Sequence, residues 1–240
     1  MKLTCLGING PYPAAGGATS GYLVVHGNTR LQMDMGSGVL SALTGITAPE
    51  ELTAVLLSHW HYDHCSDLLP LIYRMESLPH AQPLNVYAPV DEASPVRQAL
   101  LKCPAFRLHD LHPGDSLTLG DVQVQAGLAR HPVPSLMYRL TAQERSLCYT
   151  GDTNQLEGLE AFVQGCHLLL VDGLFPTALW SSAKPHLSAQ LAACLARDAG
   201  AQKLLITHLN PSIDPMGLLA EARAVRPDAA LAERFATYTV

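Results

Sequence analysis

Six consecutive residues, His59-Trp60-His61-Tyr62-Asp63-His64, carry three imidazoles and a carboxylate. Imidazole nitrogen and carboxylate oxygen are donors that zinc and similar borderline divalent ions accept. The run follows Ala54-Val55-Leu56-Leu57, an apolar stretch that reads as a buried strand. In extended backbone, residues two apart point to the same side. His59, His61 and Asp63 can therefore converge. His64 can aim elsewhere, because the chain turns there toward a helix. One segment can thus serve two neighbouring ions, yet its four donors are too few for both.

Further donors stand where other β-like runs end. His131 follows the run 122–130 and precedes Pro132, which biases His131 toward extended backbone. Asp152 closes 148–152, where Gly151 permits a tight turn. His208 closes the apolar run 204–208. One histidine at a strand end is ordinary. Three ligand-type residues, each just past an apolar strand, beside so dense a motif, are not.

Elements able to position these residues are legible along the chain. Strands are expected over 3–8, 21–26, 30–34, 54–58, 84–88, 117–119, 121–128, 136–141, 146–150, 168–171 and 203–207. A further strand is expected in the last ten residues. Gly27-Asn28 reads as a hairpin turn. Helices are expected over 65–78, 95–102, 156–163, 187–199 and 215–225, with Ser188 as an N-cap and Gly200 as a stop. β-rich blocks separated by helices in both halves predict two sheets with helices outside them.

The whole chain narrows the class. It has 240 residues, of which 48% are hydrophobic and 15% charged, with a formal net charge of −6. Such a balance argues against an extended nucleic-acid surface. No run approaches the 18 or so apolar residues of a membrane span, and no signal peptide is convincing. The six cysteines form no CxxC pair. A reduced, cytoplasmic setting is the expectation. Cys65 directly follows the motif and reads as helix packing.

The order His59-x-His61-x-Asp63-His64, then His131, then Asp152 in Thr150-Gly151-Asp152-Thr153, then His208 in Thr207-His208-Leu209, resembles the metallo-β-lactamase superfamily. So does the stretch 31–38 around Asp34. The resemblance implies an α+β, four-layer αββα sandwich, here a single domain over 1–240, with metals at one edge between the sheets. It implies that His59, His61 and His131 hold one ion and Asp63, His64 and His208 the other. Asp152 would bridge them, and Asp34 would orient a ligand histidine. Two divalent ions are expected, zinc first, with manganese or iron as alternatives.

Lys184-Pro185-His186-Leu187-Ser188 resembles the His-x-Ser/Thr motif of the ribonuclease Z-like phosphodiesterase branch. By that resemblance His186 lies beside the scissile phosphate, and Asp63 and His186 are the catalytic candidates. Ribonuclease Z enzymes carry an RNA-gripping arm between their third and fourth metal motifs. Here His131 and Asp152 are 21 positions apart, with room for two strands and a turn only. The expected substrate is therefore a small phosphodiester, a cyclic nucleotide or short oligonucleotide, attacked by a hydroxide shared between the ions. Carboxylic-ester, thioester or lactone hydrolysis at the same site is the alternative. A metal-dependent sensor and a di-iron oxidoreductase are the readings from other classes. Homodimers occur among similar proteins. The loop 10–21 fits either the rim of the site or an ordinary surface turn.

Overall fold

The computed structural model describes residues 1–78 and 82–240. Strands β1 (Lys2–Gly7), β2 (Gly21–His26), β3 (Thr29–Met33), β4 (Ala54–Leu56), β5 (Leu84–Pro89) and β6 (Phe106–Leu111) form one sheet in sequence order. Strands β7 (Ser116–Leu119), β8 (Val122–Leu128), β9 (Leu136–Ala142), β10 (Arg145–Tyr149), β11 (Leu168–Asp172), β12 (Lys203–Thr207) and β13 (Ala230–Leu231) form the other. The last strand, β14 (Thr237–Thr239), returns to the first sheet beside β1.

The burial pattern explains the layering. In β11, Leu168 and Leu170 face the core between the sheets, while Leu169 and Val171 face helices. In β2, Tyr22 and Val24 face inward and Leu23 faces the helices of the first sheet. Strands covered on both faces read as continuous apolar runs. β8 differs: Val122, Val124 and Ala126 are buried in the central core, whereas Gln123 and Gln125 are exposed. That strict alternation marks a sheet face without a helix on it.

Helices α1 (Val39–Thr44), α2 (Tyr62–Cys65), α3 (Leu68–Glu76) and α4 (Pro95–Leu101) lie in the first half of the chain. Helices α5 (Leu159–Val163), α6 (Ala189–Asp198) and α7 (Pro215–Val225) lie in the second. Residues of α1, α3 and α4 pack on the outer face of the first sheet, and those of α5, α6 and α7 on that of the second. The result is the αββα sandwich expected from the resemblance.

The structure departs from the sequence expectations in several places. The helix expected over 65–78 is two helices, α2 and α3, parted at Ser66 and Asp67. The Asp67 carboxylate accepts from the Leu40 N–H at 2.8 Å, at the start of α1, a helix the apolar pattern does not announce. The helix expected over 156–163 begins only at Leu159, because Gly158 stands at φ 86°, outside helical space. β6 was not expected, since Arg107, His109 and Asp110 break its apolar alternation. It exists through a six-residue parallel register with β5. The hairpin at Gly27-Asn28 and the Ser188 cap are present, the latter accepting from the Leu191 N–H at 3.2 Å. Among the described residues no helix is long and apolar enough to cross a membrane.

β3 and β4 run parallel, as do β10, β11 and β12. β8 shares the direction of β10 through two antiparallel pairings with β9. The segments after β3, β4, β8, β10, β11 and β12 therefore leave along one edge of the sandwich. Asp34, residues 59–64, His131, Asp152, Asp172 and His208 all stand at those exits.

The segment after β3 packs on α2 without room to spare. Met35 N–H donates to the His64 carbonyl at 2.7 Å and Ser20 N–H to the Asp63 carbonyl at 3.1 Å. A Cβ on Gly36 would collide with the Asp63 carbonyl oxygen and Thr19 Oγ1. Gly36→Ala should lower stability by about 1–3 kcal/mol. Urea unfolding of the metal-free protein measures this, and an unchanged midpoint would contradict the packing.

Candidate metal centre

The motif is built on a buried carboxylate. Asp34, at φ 53° just past β3, accepts from Ser58 N–H at 2.7 Å and Ser58 Oγ–H at 2.8 Å. It also accepts from Tyr149 O–H at 2.6 Å and from His64 Nδ1–H at 2.7 Å. His64 is thereby held with Nε2 toward the site. The Ser58 hydroxyl, having given its proton to Asp34, can accept from His59 Nδ1 at 3.0 Å. That leaves His59 Nε2 free to coordinate. His131 Nδ1 faces the Pro185 carbonyl at 3.3 Å, so its Nε2 turns inward as well. Hydrogen bonds of this kind fix the tautomer and ring orientation of metal-binding histidines.

Three overlapping donor sets result, the third being Asp152, Asp172, His186 and His208. His59, His61 and His131 bring ligand atoms together, as do Asp63, His64, Asp152 and His208. In the first set His61 Nδ1 lies 3.0 Å from both His59 Nε2 and His131 Nε2. Tetrahedral zinc with bonds of about 2.0–2.1 Å needs its nitrogens roughly 3.3 Å apart. In the second set His208 Nε2 is 3.2 Å from Asp63 Oδ2 and 3.4 Å from His64 Nε2. Asp152 Oδ2 stands between the first two sets, 3.2 Å from His64 Nε2, 3.4 Å from His208 Nε2, 3.7 Å from His59 Nε2 and 3.9 Å from His131 Nε2.

The residues fit a bound cation. Asp152 Oδ1 is buried without a hydrogen-bond partner. Such an orphan is costly unless something else satisfies it. Burial, then the nearby charge of His64, pushes the pKa of His59 well below its ordinary value. Burial also lowers His61, and it takes His131 down to about 4. The first set is therefore neutral, the protonation state that coordinates. In the second set burial opposes charge on His64, but the carboxylates of Asp152, Asp63 and Asp34 outweigh it and hold the pKa well above the usual value. Burial would raise Asp152, yet the charges of His208 and His64 keep it well below its ordinary range. Without an ion, a proton on His64 offsets the clustered carboxylates.

Every candidate residue named from the sequence lies at this edge: His59, His61, Asp63, His64, His131, Asp152, His208, Asp34 and His186. Cys65 is not among the donors. Its buried thiol meets the Trp60 carbonyl at 3.3 Å, and burial pushes its pKa up. The loop 10–21 does reach the rim. Gly10 N–H donates to the Leu209 carbonyl at 3.1 Å, and a Cβ on Gly10 would enter the His208 ring.

One functional residue escaped the sequence reading. Asp172, buried at the end of β11, accepts from His186 Nδ1–H at 2.7 Å and lies 3.8 Å from His208 Nδ1. Burial opposes charge on His186, but Asp172 outweighs it and raises the pKa to about 9. The signal was present. Asp172 is a carboxylate just past the apolar run 168–171, the same pattern that singled out Asp152. The loop leading to His186 is tied down by Arg130, whose guanidinium donates to the Ser182 and Gln155 carbonyls at 3.1 Å each. Asn154 Nδ2 adds a hydrogen bond to the Ser181 carbonyl at 3.2 Å.

A four-layer αββα sandwich with overlapping His/Asp donor sets along one strand-end edge defines a metallo-hydrolase of the metallo-β-lactamase type. The family described as the beta-lactamase superfamily domain matches residues 38–209, and the chain belongs to that superfamily. It is 32% identical over 215 residues to a probable metallo-hydrolase, YhfI, of Bacillus subtilis, covering 87% of each chain. It is 27% identical over 263 residues to a ribonuclease Z of Methanopyrus kandleri, covering 95% of this chain and 93% of that one. The crystal structure of Bacillus subtilis YhfI superposes with a TM-score of 0.92 at 30% identity, covering 99% of both chains. The human short-form tRNase Z shares the fold, with a TM-score of 0.82 at 20% identity over 100% of this chain and 99% of that one.

Metal uptake at neutral pH should release protons. His64, with its pKa raised above 6.5, carries an extra proton there and must lose it to coordinate. Calorimetric zinc titrations at pH 7 in buffers of different ionisation enthalpy should give different apparent enthalpies. Identical enthalpies in all buffers would contradict this charge assignment.

Proposed function

We propose that the 240 residues act as one hydrolase domain that cleaves small phosphodiesters with two divalent ions, zinc first among them. His59, His61 and His131 would hold one ion and Asp63, His64 and His208 the other, with Asp152 shared and Asp34 orienting His64. Ions held there would supply Lewis-acid stabilisation of phosphoryl charge and make water nucleophilic at neutral pH.

The observation that carries the phosphodiesterase reading is the Asp172–His186 pair beside the donor sets. The His186 ring stacks on the His208 ring at 5.0 Å between centroids. Asp172 holds His186 Nδ1–H, which leaves Nε2 as the nitrogen that can face substrate. A pKa near 9 keeps that nitrogen protonated at neutral pH. An imidazolium placed there can donate its Nε2 proton to the departing alkoxide. A thioester, whose thiolate leaves without a proton, has less need of such an acid. The match to a named ribonuclease Z over nearly the whole chain supports the same reading.

The preference for small substrates rests on the stretch between His131 and Asp152. β9 and β10 pair through Ala142 and Arg145, leaving only Gln143 and Glu144 as the turn, so no arm extends from this hairpin. A cyclic nucleotide or short oligonucleotide needs none. All six cysteines are free thiols, five of them buried, which supports a reduced cytoplasmic setting.

The test compares two phosphodiesters with bis-p-nitrophenyl phosphate, whose leaving group needs little protonation. On 3′,5′-cyclic AMP or a dinucleotide, His186→Ala should reduce kcat by about 10²–10⁴-fold. On bis-p-nitrophenyl phosphate the loss should be far smaller, with metal content near wild type in both cases. Asp172→Asn should fall between wild type and His186→Ala. Equal losses on both substrate types would remove His186 as the acid. Faster turnover of lactones or thioesters than of any phosphodiester would overturn the substrate class.

A further inference from the structure

On the His61 side of the metal centre lies a cleft of about 290 Å³, lined by Trp60, His61, Tyr62, Asp91, Ala93 and Pro95. His61 belongs to both places. Its Nδ1 faces the first donor set, and its side chain also forms part of the cleft wall. Tyr62 sits between two ligand-type residues of a largely buried motif, yet is 63% exposed. Its ring is surrendered to solvent and its hydroxyl makes no hydrogen bond among the described residues. Trp60, by contrast, is buried and fixed, with Nε1–H donating to the Pro89 carbonyl at 2.7 Å. Asp91 Oδ1 accepts from the Ala93 N–H at 3.1 Å, which leaves Oδ2 open to a ligand.

These features select an occupant. Asp91 repels a phosphate, so the cleft does not hold the scissile group. It suits a group with N–H donors to offer. The aromatic and proline walls suit a flat ring. Clefts that take a whole drug-sized ligand span about 300–1,000 Å³. This one, just below that range, has space for a single ring system rather than a second nucleotide.

We infer that this cleft is a nucleobase subsite, in which the base stacks on Tyr62 and donates an N–H to Asp91 while its phosphodiester reaches the donor sets. The inference rests on the phosphodiesterase reading and gives the base of its nucleotide substrates a place to bind. Tyr62 and Asp91 become specificity residues rather than catalytic ones.

Two esters with one leaving group test it: adenosine 5′-(p-nitrophenyl phosphate) and methyl p-nitrophenyl phosphate. Tyr62→Ala should raise KM for the nucleoside ester roughly tenfold, as loss of a base-stacking ring does. The methyl ester should be barely affected, and Tyr62→Phe should keep the wild-type KM for both. Ala93→Phe, which fills the cleft from the opposite wall, should reproduce the base-dependent loss without touching α2. Calorimetry on the metal-loaded protein adds a readout independent of turnover: AMP should bind more tightly than ribose 5-phosphate, and Tyr62→Ala should abolish the difference. Equal KM changes for both esters, or equal binding of AMP and ribose 5-phosphate, would overturn the subsite. If neither ester is cleaved, the phosphodiesterase reading fails, and the binding comparison still decides the subsite.

Discussion

The carboxylate of Asp34 joins the parts of the molecule that must agree if a metal is to be held. It is fully buried and accepts four hydrogen bonds, from the backbone and hydroxyl of Ser58, from Tyr149 and from His64. Tyr149 belongs to the second sheet, Ser58 to the exit of β4, and His64 to α2. One side chain therefore fixes the spacing between the sheets and the aim of His64, and through Ser58 the tautomer of His59. A buried charge this well satisfied is costly to disturb from any side, because each lost partner leaves unpaired polar atoms behind. Two more buried tyrosines work in the same gap. Tyr138 O–H donates to the Leu57 carbonyl at 2.6 Å, and Tyr22 shares a hydrogen bond with Thr207 at 2.7 Å.

The charge balance of the edge follows from that frame. Asp34, Asp63, Asp152 and Asp172 cluster around His59, His64, His186 and His208 in a volume largely closed to solvent. Carboxylates in such a place require positive charge. The first donor set supplies none, because burial keeps its histidines neutral. His64 and His186 supply it as protons on imidazole, held there by the neighbouring carboxylates. A cation can replace the proton on His64. His186 also falls within a metal-type set with Asp152, Asp172 and His208, but its proton is held by Asp172 at 2.7 Å. One cluster of carboxylates thus divides into a part suited to metal and a part suited to acid catalysis.

Much of this was legible in the sequence because metal-type donors on strands are short-range features. The spacing in 59–64 and the strand-end positions of His131, Asp152 and His208 single out the candidate donors, while their division into sets came from the resemblance to the superfamily. Continuous apolar runs such as 168–171 likewise state that a strand is covered on both faces. Features that depend on distant partners were less visible. β6 has a polar sequence and is a strand only because β5 templates it. The break between α2 and α3 arises because Asp67 serves α1 instead of its own helix. Asp172 was overlooked although it carried the same strand-end signature as Asp152, since its task is to hold His186, which the loop after the same strand brings back to it. The cleft beside Tyr62 is assembled from two segments about thirty residues apart, and no local pattern announces it.

The central claim is that one edge of this sandwich holds two ions, each in its own donor set, with Asp152 between them. Anomalous diffraction from crystals of the zinc-loaded protein tests it most directly. The expected result is two peaks, each within about 2.0–2.2 Å of its ligand atoms. One should lie among His59, His61 and His131, the other among Asp63, His64 and His208, with Asp152 approaching both. A single peak, or zinc bound elsewhere while both sets stay empty, would contradict it.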